Sequence, residues 1–298
     1  MTTTRFLPYS AALSASLVAI TTLSASAGEV TIPVEADATL YQNFSGDIAN
    51  GSGRGFFVGR NNSNIITRSL LRFDVASAVP AGSTIESVSL TLYCSRTIAP
   101  PTDVSLHRAL GSWDEGPSDP SGNEGSGAPA QSGDVTWLYR DFTFPGPGSP
   151  AWTNPGGDFE PTASATTVVM GEAVFYTWAS PGLAADVQAW VDGTRPNDGW
   201  LLMGEEGGSG GTSKRFSSKD DDGPVPNPPM LTIVFSGSGG CTAADIAEPF
   251  GVLDLADLQT FIAGFVASDP IADIAAPEGV WDLADVQAFI ASFNAGCP

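Results

Sequence analysis

The chain has 298 residues, 42% of them hydrophobic, with 34 Gly and 23 Pro; that is room for one domain of upper ordinary size and a small companion, built with many turns rather than long helices. Its 33 acidic residues outweigh 12 basic ones, a formal charge of −21. This balance excludes a nucleic-acid binder, which needs positive surface to displace phosphate counterions, and it suits solubility in a salty exterior.

Residues 1–27 read as a secretory signal peptide. Arg5 supplies the positive n-region, Leu13 to Leu23 the apolar stretch, and Ala25-Ser26-Ala27 an A-x-A cleavage site. The stretch is too short and too rich in Ser and Thr for a membrane helix, and no transmembrane helix is expected once it is removed. Loss of Arg5, with no acid before Glu29, leaves 11 basic and 33 acidic residues, a net −22. The expected location is secreted or attached to the cell surface.

Residues 28–235 are expected to form one large domain, and there the dominant hydrophobic period is two. EVTIPVEADATLY, FFVGR, RSLLRFDV, IESVSLTLYC and DVSLHRAL read as strands, followed later by TTVVM, AVFYTWA, GWLLMG and MLTIVF. One helix interrupts them: in PGLAADVQAWVDG, Leu183, Val187, Trp190 and Val191 share a face and Gly193 suits its end. Many short strands with Gly/Pro turns predict a mainly β fold, a jelly-roll-like β-sandwich. Cys94 shares a strand face with Val88, Leu90 and Leu92, which predicts a buried thiol. The segment 111–165 is rich in Gly, Pro and Ser, yet it carries Trp113, Trp137, Tyr139, Trp152 and Phe159; disordered segments are poor in aromatics, so an ordered long loop is expected. Residues 236–240, SGSGG, are a flexible linker.

Several blocks of this domain, in order, resemble the DNRLRE-domain family, which is grouped with carbohydrate-binding modules. They are DATLY (37–41), RSLLRFDV (68–75), LHRALGSWDEG (106–116) and GGDF (156–159), then ADVQAW (185–190), NDGWLL (197–202), FSSK (216–219) and the strand 229–235. The resemblance implies a β-sandwich that binds polysaccharide, with acidic glycans such as alginate among the ligands.

No catalytic set stands out. The single histidine, His107, alternates with Val104 and Leu106 and is expected to point outward, and no nucleophile-elbow motif supports a triad built on it. Among 33 acids a chance carboxylate pair is inevitable, so a glycosidase pair is not singled out. Residues 48–73 differ from the rest: they hold Arg54, Arg60, Arg68 and Arg72 and no acid, while Lys214, Arg215 and Lys219 form a second basic cluster. Guanidinium groups pair bidentately with carboxylates, the chemistry a uronate polymer offers. In one reading Arg54, Arg60, Lys214, Arg215 and Lys219 bind such a ligand; in the other Arg72 anchors a buried acid and the remainder are surface charges. Trp137, Tyr139 and Trp152 likewise have two readings, a platform for sugar rings or a cap on the core.

The tail, residues 241–298, contains a duplication. DIAEPFGVLDLADLQTFIAGF (245–265) and DIAAPEGVWDLADVQAFIASF (273–293) lie 28 residues apart and match at 15 of 21 positions. Such a repeat is a small unit that buries its apolar face against its twin. The expected facing residues are Leu255, Leu258, Phe261, Ile262 and Phe265, and Leu283, Val286, Phe289, Ile290 and Phe293. Cys241 and Cys297 bracket the tail and are expected to pair, leaving Cys94 over. The paired Gly-Val-x-Asp-Leu-Ala-Asp cores and the closing Ala-Gly-Cys-Pro resemble a type I dockerin of the GC type. That implies an attachment module, with a cohesin-like or other cell-surface anchoring partner.

A calcium loop of EF-hand type needs oxygen ligands at positions 1, 3, 5, 9 and 12, with Gly at 6. Setting Gly251 at 6 places Asp254 and Asp257 at 9 and 12, but leaves Ile246, Glu248 and Phe250 at 1, 3 and 5; starting at Asp245 instead offers Ala247 and Pro249. The second copy offers Ile274, Ala276 and Glu278, or Asp273, Ala275 and Pro277. Asp245, Asp254, Asp257, Asp273, Asp282 and Asp285 are therefore weak calcium candidates. The alternative makes Asp254 and Asp282 helix N-caps, with Asp257 and Asp285 beside the positive helix end. The ligand count favours caps, so no cofactor is expected. The whole reads as a secreted, non-catalytic polysaccharide-binding protein held by its tail. Its rivals are a structural or adhesive surface protein with the sandwich as spacer, and a polysaccharide lyase or hydrolase.

Overall fold

The computed structural model describes residues 27–80, 82–122, 124–208, 210–236, 242–247, 250–277 and 279–297. Residues 1–26 of the expected signal peptide, residues 237–240 of the linker, Cys241, Glu248, Pro249 and Glu278 lie outside the described residues. The chain is mainly β. Its elements are β1 (Ala27–Pro33), β2 (Ala36–Tyr41), β3 (Ile48–Ala49), β4 (Gly55–Arg60), β5 (Ile66–Arg72), β6 (Thr84–Thr97), β7 (Thr102–Arg108) and β8 (Ala128–Pro129). Then come β9 (Ala165–Val169), β10 (Val174–Ala179), α1 (Pro181–Val191), β11 (Trp200–Met203), β12 (Lys214–Ser217) and β13 (Met230–Ser236). The tail holds α2 (Leu255–Ala267), a 3-10 turn at Pro270–Ala272, and α3 (Leu283–Ala295).

Eleven strands form one curled antiparallel sheet, in the order β1-β13-β6-β12-β4-β5-β11-β7-β9, with β10 on β6 and β2 on β5. The curl comes from strand sharing. β6, at 14 residues, is long enough to pair with β13 along its first half and β12 along its second, while β10 pairs between Ser89 and Cys94. The expected strand 29–41 is broken at Val34 and Glu35, whose amides turn aside to Pro229 and Arg72.

The main core lies inside the curl. β6 sends in Val88, Leu90, Leu92 and Cys94, as its alternation requires, and α1 adds Leu183, Val187 and Trp190. Helix α1 begins where the Ser180 hydroxyl caps the Leu183 amide and Pro181 takes a position that needs no N–H donor. A second core covers the other face of the β2–β5–β11 strands. Ala38, Leu40, Leu70 and Leu201 meet Trp113, Val135, Trp137 and Trp152 there. The consecutive apolar residues Leu70-Leu71 and Trp200-Leu201-Leu202 thus serve both cores at once, as strands buried on two faces do. The Gly-Gly of GGDF makes this closeness possible: a Cβ at Gly156 would strike Trp137, and one at Gly157 would strike Leu201.

The tail helices meet through Phe261 and Phe289, stacked with ring centroids 4.1 Å apart. Only half of each expected face is buried. Phe265, Val286 and Phe293 pack beside the pair, but Leu255, Ile262, Leu283 and Ile290 are more than half exposed. At about 100° per residue, Leu255 and Ile262 fall on a second stripe a quarter turn or more round from Phe261. Asp257, which shares the buried stripe, takes the inward place that Leu255 was expected to fill.

Candidate ligand-binding site

The basic residues read as ligands are largely taken up by the fold. Lys214 is fully buried on β12, its ammonium donating to the Pro100 carbonyl at 2.8 Å, and burial pulls its pKa down. Arg54 lies 2.5 Å from Asp222 and 3.6 Å from Asp221. The Arg60 guanidinium donates to the carbonyls of Glu206 and Asn64. Lys219 meets Glu115 at 2.9 Å and Asp220 at 3.5 Å. The acid-free run 48–73 therefore draws its acids from distant sequence. Arg68 makes a two-point pair with Glu206, at 2.7 and 3.0 Å, beneath the rings of Trp137 and Phe159. Arg72 reaches Glu35 at 3.2 Å, yet that acid is about half exposed, so the expected anchor is present without a buried acid.

The aromatic rings of the middle segment turn inward. Trp137 and Trp152 are 6% and 5% exposed, and the Trp152 indole donates to the Thr136 carbonyl at 3.0 Å. Tyr139 is partly buried and packs on Phe142, with its backbone bridged to Ala151. In this arrangement neither tryptophan presents an open ring face as large as a stacking platform needs.

His107 does not point into solvent. It is 9% exposed because Phe159 lies edge-on over its ring, and its Nδ1 is 2.9 Å from the Glu160 carbonyl. Its Nε2 is 3.0 Å from the Ser105 hydroxyl. With a carbonyl rather than a carboxylate behind the imidazole, the group lacks the third member of a Ser-His-Asp arrangement. Beside it, Arg108 pairs with Asp186 at 3.1 Å, and Asp186 also accepts the Trp200 indole N–H at 2.9 Å, tying β7, α1 and β11 together.

One place gathers cationic, amide and apolar groups around open space. A cleft of about 220 Å³ is lined by Phe57, Asn61, Asn62, Arg96, Ile98 and Arg215, among others. It sits where the end of β6, the start of β12 and the β4–β5 turn converge. Arg215 is its inner wall: the guanidinium pairs with the buried Glu124 at 2.7 Å, bonds Ser95 at 2.9 Å and lies 5.9 Å over the Phe57 ring. Asn61 is engaged in holding its own turn through the Ser63 and Ile65 amides. Arg96, Asn62 and Ile98 are exposed at the mouth, Ile98 at 83%. Sequence reading passed over these three. Their signal was an Arg and an Ile kept at the end of a long strand, just before Pro100-Pro101.

Another titratable cluster surrounds a buried carboxylate, with partly exposed Glu115, Lys219 and Asp220 around it. Asp37, 2% exposed, accepts the Lys219 amide at 2.8 Å, and its own amide donates to Glu115. Burial pushes the Asp37 carboxyl up to about 8, with the neighbouring Glu115 and Asp220 charges adding to the effect.

In the tail, Asp254 and Asp282 cap their helices, and Asp257 and Asp285 complete capping boxes. The Asp257 carboxylate accepts the Ile246 and Ala247 amides, both at 2.8 Å, and the Asp254 amide at 2.9 Å. Asp285 repeats this with Ile274, Ala275 and Asp282, all at 2.9 Å. Asp245 and Asp273 accept the Gly251 and Gly279 amides. This donor set suits carboxylates that close a loop on itself. Ala247 and Ala275 bring no oxygen ligand from their side chains, and among the described residues no group of three or more His, Cys, Asp or Glu side chains is assembled to hold a metal ion. Cys297 is disulfide-bonded and Cys94 is a buried free thiol, while Cys241, the expected partner, lies outside the described residues. Among the described residues no helix is long and apolar enough to cross a membrane. No protein-family model matches the chain, and no curated protein matches it.

Proposed function

We propose that the protein is a secreted, non-catalytic polysaccharide-binding protein, with a jelly-roll-like sandwich of DNRLRE type as its binding unit and a dockerin-like tail as its anchor. The observation that carries this reading is the Arg96–Arg215 cleft, where guanidinium groups, the Asn62 amide and the apolar Ile98 and Phe57 converge on open space. Arg96, exposed at the mouth, and the Arg215 guanidinium behind it are the partners for a uronate carboxylate, with sugar C–H faces against Ile98. The exposed stripe of Leu255, Ile262, Leu283 and Ile290 supports the anchoring role of the tail. The tail is held to need no calcium, since amides already occupy the Asp257 and Asp285 carboxylates.

Calorimetry of the full chain with alginate and polygalacturonate oligosaccharides tests the reading. Wild type should bind an acidic oligosaccharide, more weakly as salt shortens the Debye length below about 8 Å. Arg96→Ala should cost about tenfold in affinity, the scale of one charge-assisted contact at a partly exposed site. A folded wild type that binds no acidic oligosaccharide would hand the sandwich to the spacer reading.

A further inference from the structure

A different surface carries a second inference, independent of the cleft. Strands β1, β13, β6 and β10 pair side by side, and their inward residues, such as Ile233, Leu90 and Trp178, fill the core. The alternate residues face out, and the register sets them in rows. Thr31, Thr232, Ser89 and Ala179 stand opposite one another in one row. Met230, Thr91 and Thr177 form the next, and beyond them Tyr93 lies opposite Phe175. Neighbours within a row are about 4.8 Å apart, and rows about 7 Å.

Two properties separate this face from an ordinary solvated sheet. First, its hydroxyls are ordered. Thr31 and Thr232 are hydrogen-bonded at 2.8 Å, and Thr91 and Thr177 at 3.2 Å. In each pair one O–H donates to the other oxygen, which leaves one O–H and further lone pairs to offer outward. Second, in a chain of charge −21 its middle is uncharged. Glu29 and Glu86 stand at one end, Arg96 and Glu172 past the other. At that second end Tyr93 and Phe175 make a ring pair, centroids 4.9 Å apart, with Phe175 54% exposed. Threonine is a good strand former, which accounts for any one of these residues. It does not account for three successive rows across four strands without a charge, since surfaces normally mix in Lys, Arg, Asp and Glu to discourage association.

We infer that this face is a docking surface for an uncharged polysaccharide. Such a polymer offers hydroxyl donors and acceptors to the Thr and Ser rows, and the C–H faces of its rings to Tyr93 and Phe175. A polyanion would gain nothing from a face without cations, and a second copy of this chain would bring its own −21 charge with it.

The test is retention of the full chain on insoluble cellulose, chitin and β-1,3-glucan, in low and high salt. Retention on at least one should persist in high salt. Phe175→Ala and Thr177→Glu, both on exposed positions of β10, should each lower it by about tenfold, as loss of a central contact does. Each variant is first checked for an unchanged thermal midpoint, and Thr91→Glu stands in for one that fails. Arg96→Ala should leave neutral-polymer retention unchanged while weakening acidic oligosaccharides, so this inference and the cleft reading fail separately. No retention on any of the three polymers would overturn it, as would retention indifferent to Thr177→Glu. Concentration-dependent self-association abolished by Thr177→Glu would also overturn it, assigning the face to a second copy.

Discussion

Two withdrawn aspartates, one in each region, behave in opposite ways. Asp37 of the β unit is 2% exposed and Asp285 of the tail 0%. Burial drives Asp37 up to about 8, because a single described amide, that of Lys219, answers the cost and Glu115 and Asp220 add like charge. Asp285 is held below the usual carboxylate range, first by the Asp282 amide and then by those of Ala275 and Ile274. Its cover is thin: among the described residues the tail core has four buried apolar side chains, Ala244, Phe261, Ala272 and Phe289. Low exposure therefore says little about charge. What decides is how deep the surroundings are against how many N–H groups point at the oxygens.

The largest effect expected from this contrast lies at Asp37. Its pKa is higher in the folded chain than the ordinary 3.8, so its contribution to stability is full below that value and lost as pH rises toward about 8. Wild-type unfolding free energy should fall over that window by on the order of a few kcal/mol. Asp37→Asn keeps an acceptor for the Lys219 amide and cannot ionise, so it should flatten the slope and be the more stable protein at the alkaline end. Denaturant melts of both proteins across the window measure this. Parallel profiles would show that the carboxyl is charged in the folded chain after all.

A smaller effect is expected at Asp257. Removing its carboxylate strands the Ile246, Ala247 and Asp254 amides, so Asp257→Ala should destabilise the tail by about 1–3 kcal/mol. Asp257→Asn retains one oxygen and should fall between. Hydrogen exchange at Ile246 and Ala247 reports the change directly. Unchanged protection in the Ala variant would mean that the loop is closed by something other than the carboxylate.

The same contrast explains what was legible beforehand. Strands such as β6 and β13 announced themselves through alternation, and α1 through its apolar face and the Gly193 just past its end. The Asp-x-x-Asp starts of α2 and α3 are local, and the capping boxes follow from them. Strand β12 was missed because Lys214 and Arg215 read as a surface charge cluster. Its one clue was that Lys214 and Phe216 share a face two residues apart, and both are buried. The partners of Arg68 and Arg215 lie 138 and 91 residues away, a distance no local pattern encodes. The middle-segment tryptophans have no regular spacing, so their presence implied order but not the side to which they turn. In the tail a five-residue apolar stripe was broader than the seam between two short helices, and an aspartate held by three amides took part of that seam.

The smallest effect is the most discriminating, because it should run against the first. Asp285 has a lowered pKa, so its contribution is present above the ordinary value of 3.8 and is lost as pH falls through the lower folded value. Acidification should therefore loosen the tail loop below about pH 4, in the range where the Asp37 contribution is at its fullest. Amide exchange, corrected for its intrinsic pH dependence, reads both regions in one sample. Protection at Ile274 and Ala275 should fall in acid while that at Lys219 holds or rises. Asp285→Asn should lose the acid response at Ile274 and Ala275 and leave Lys219 as before. If all three amides respond alike, the two aspartates share one global transition, and the number of N–H donors is not what sets them apart.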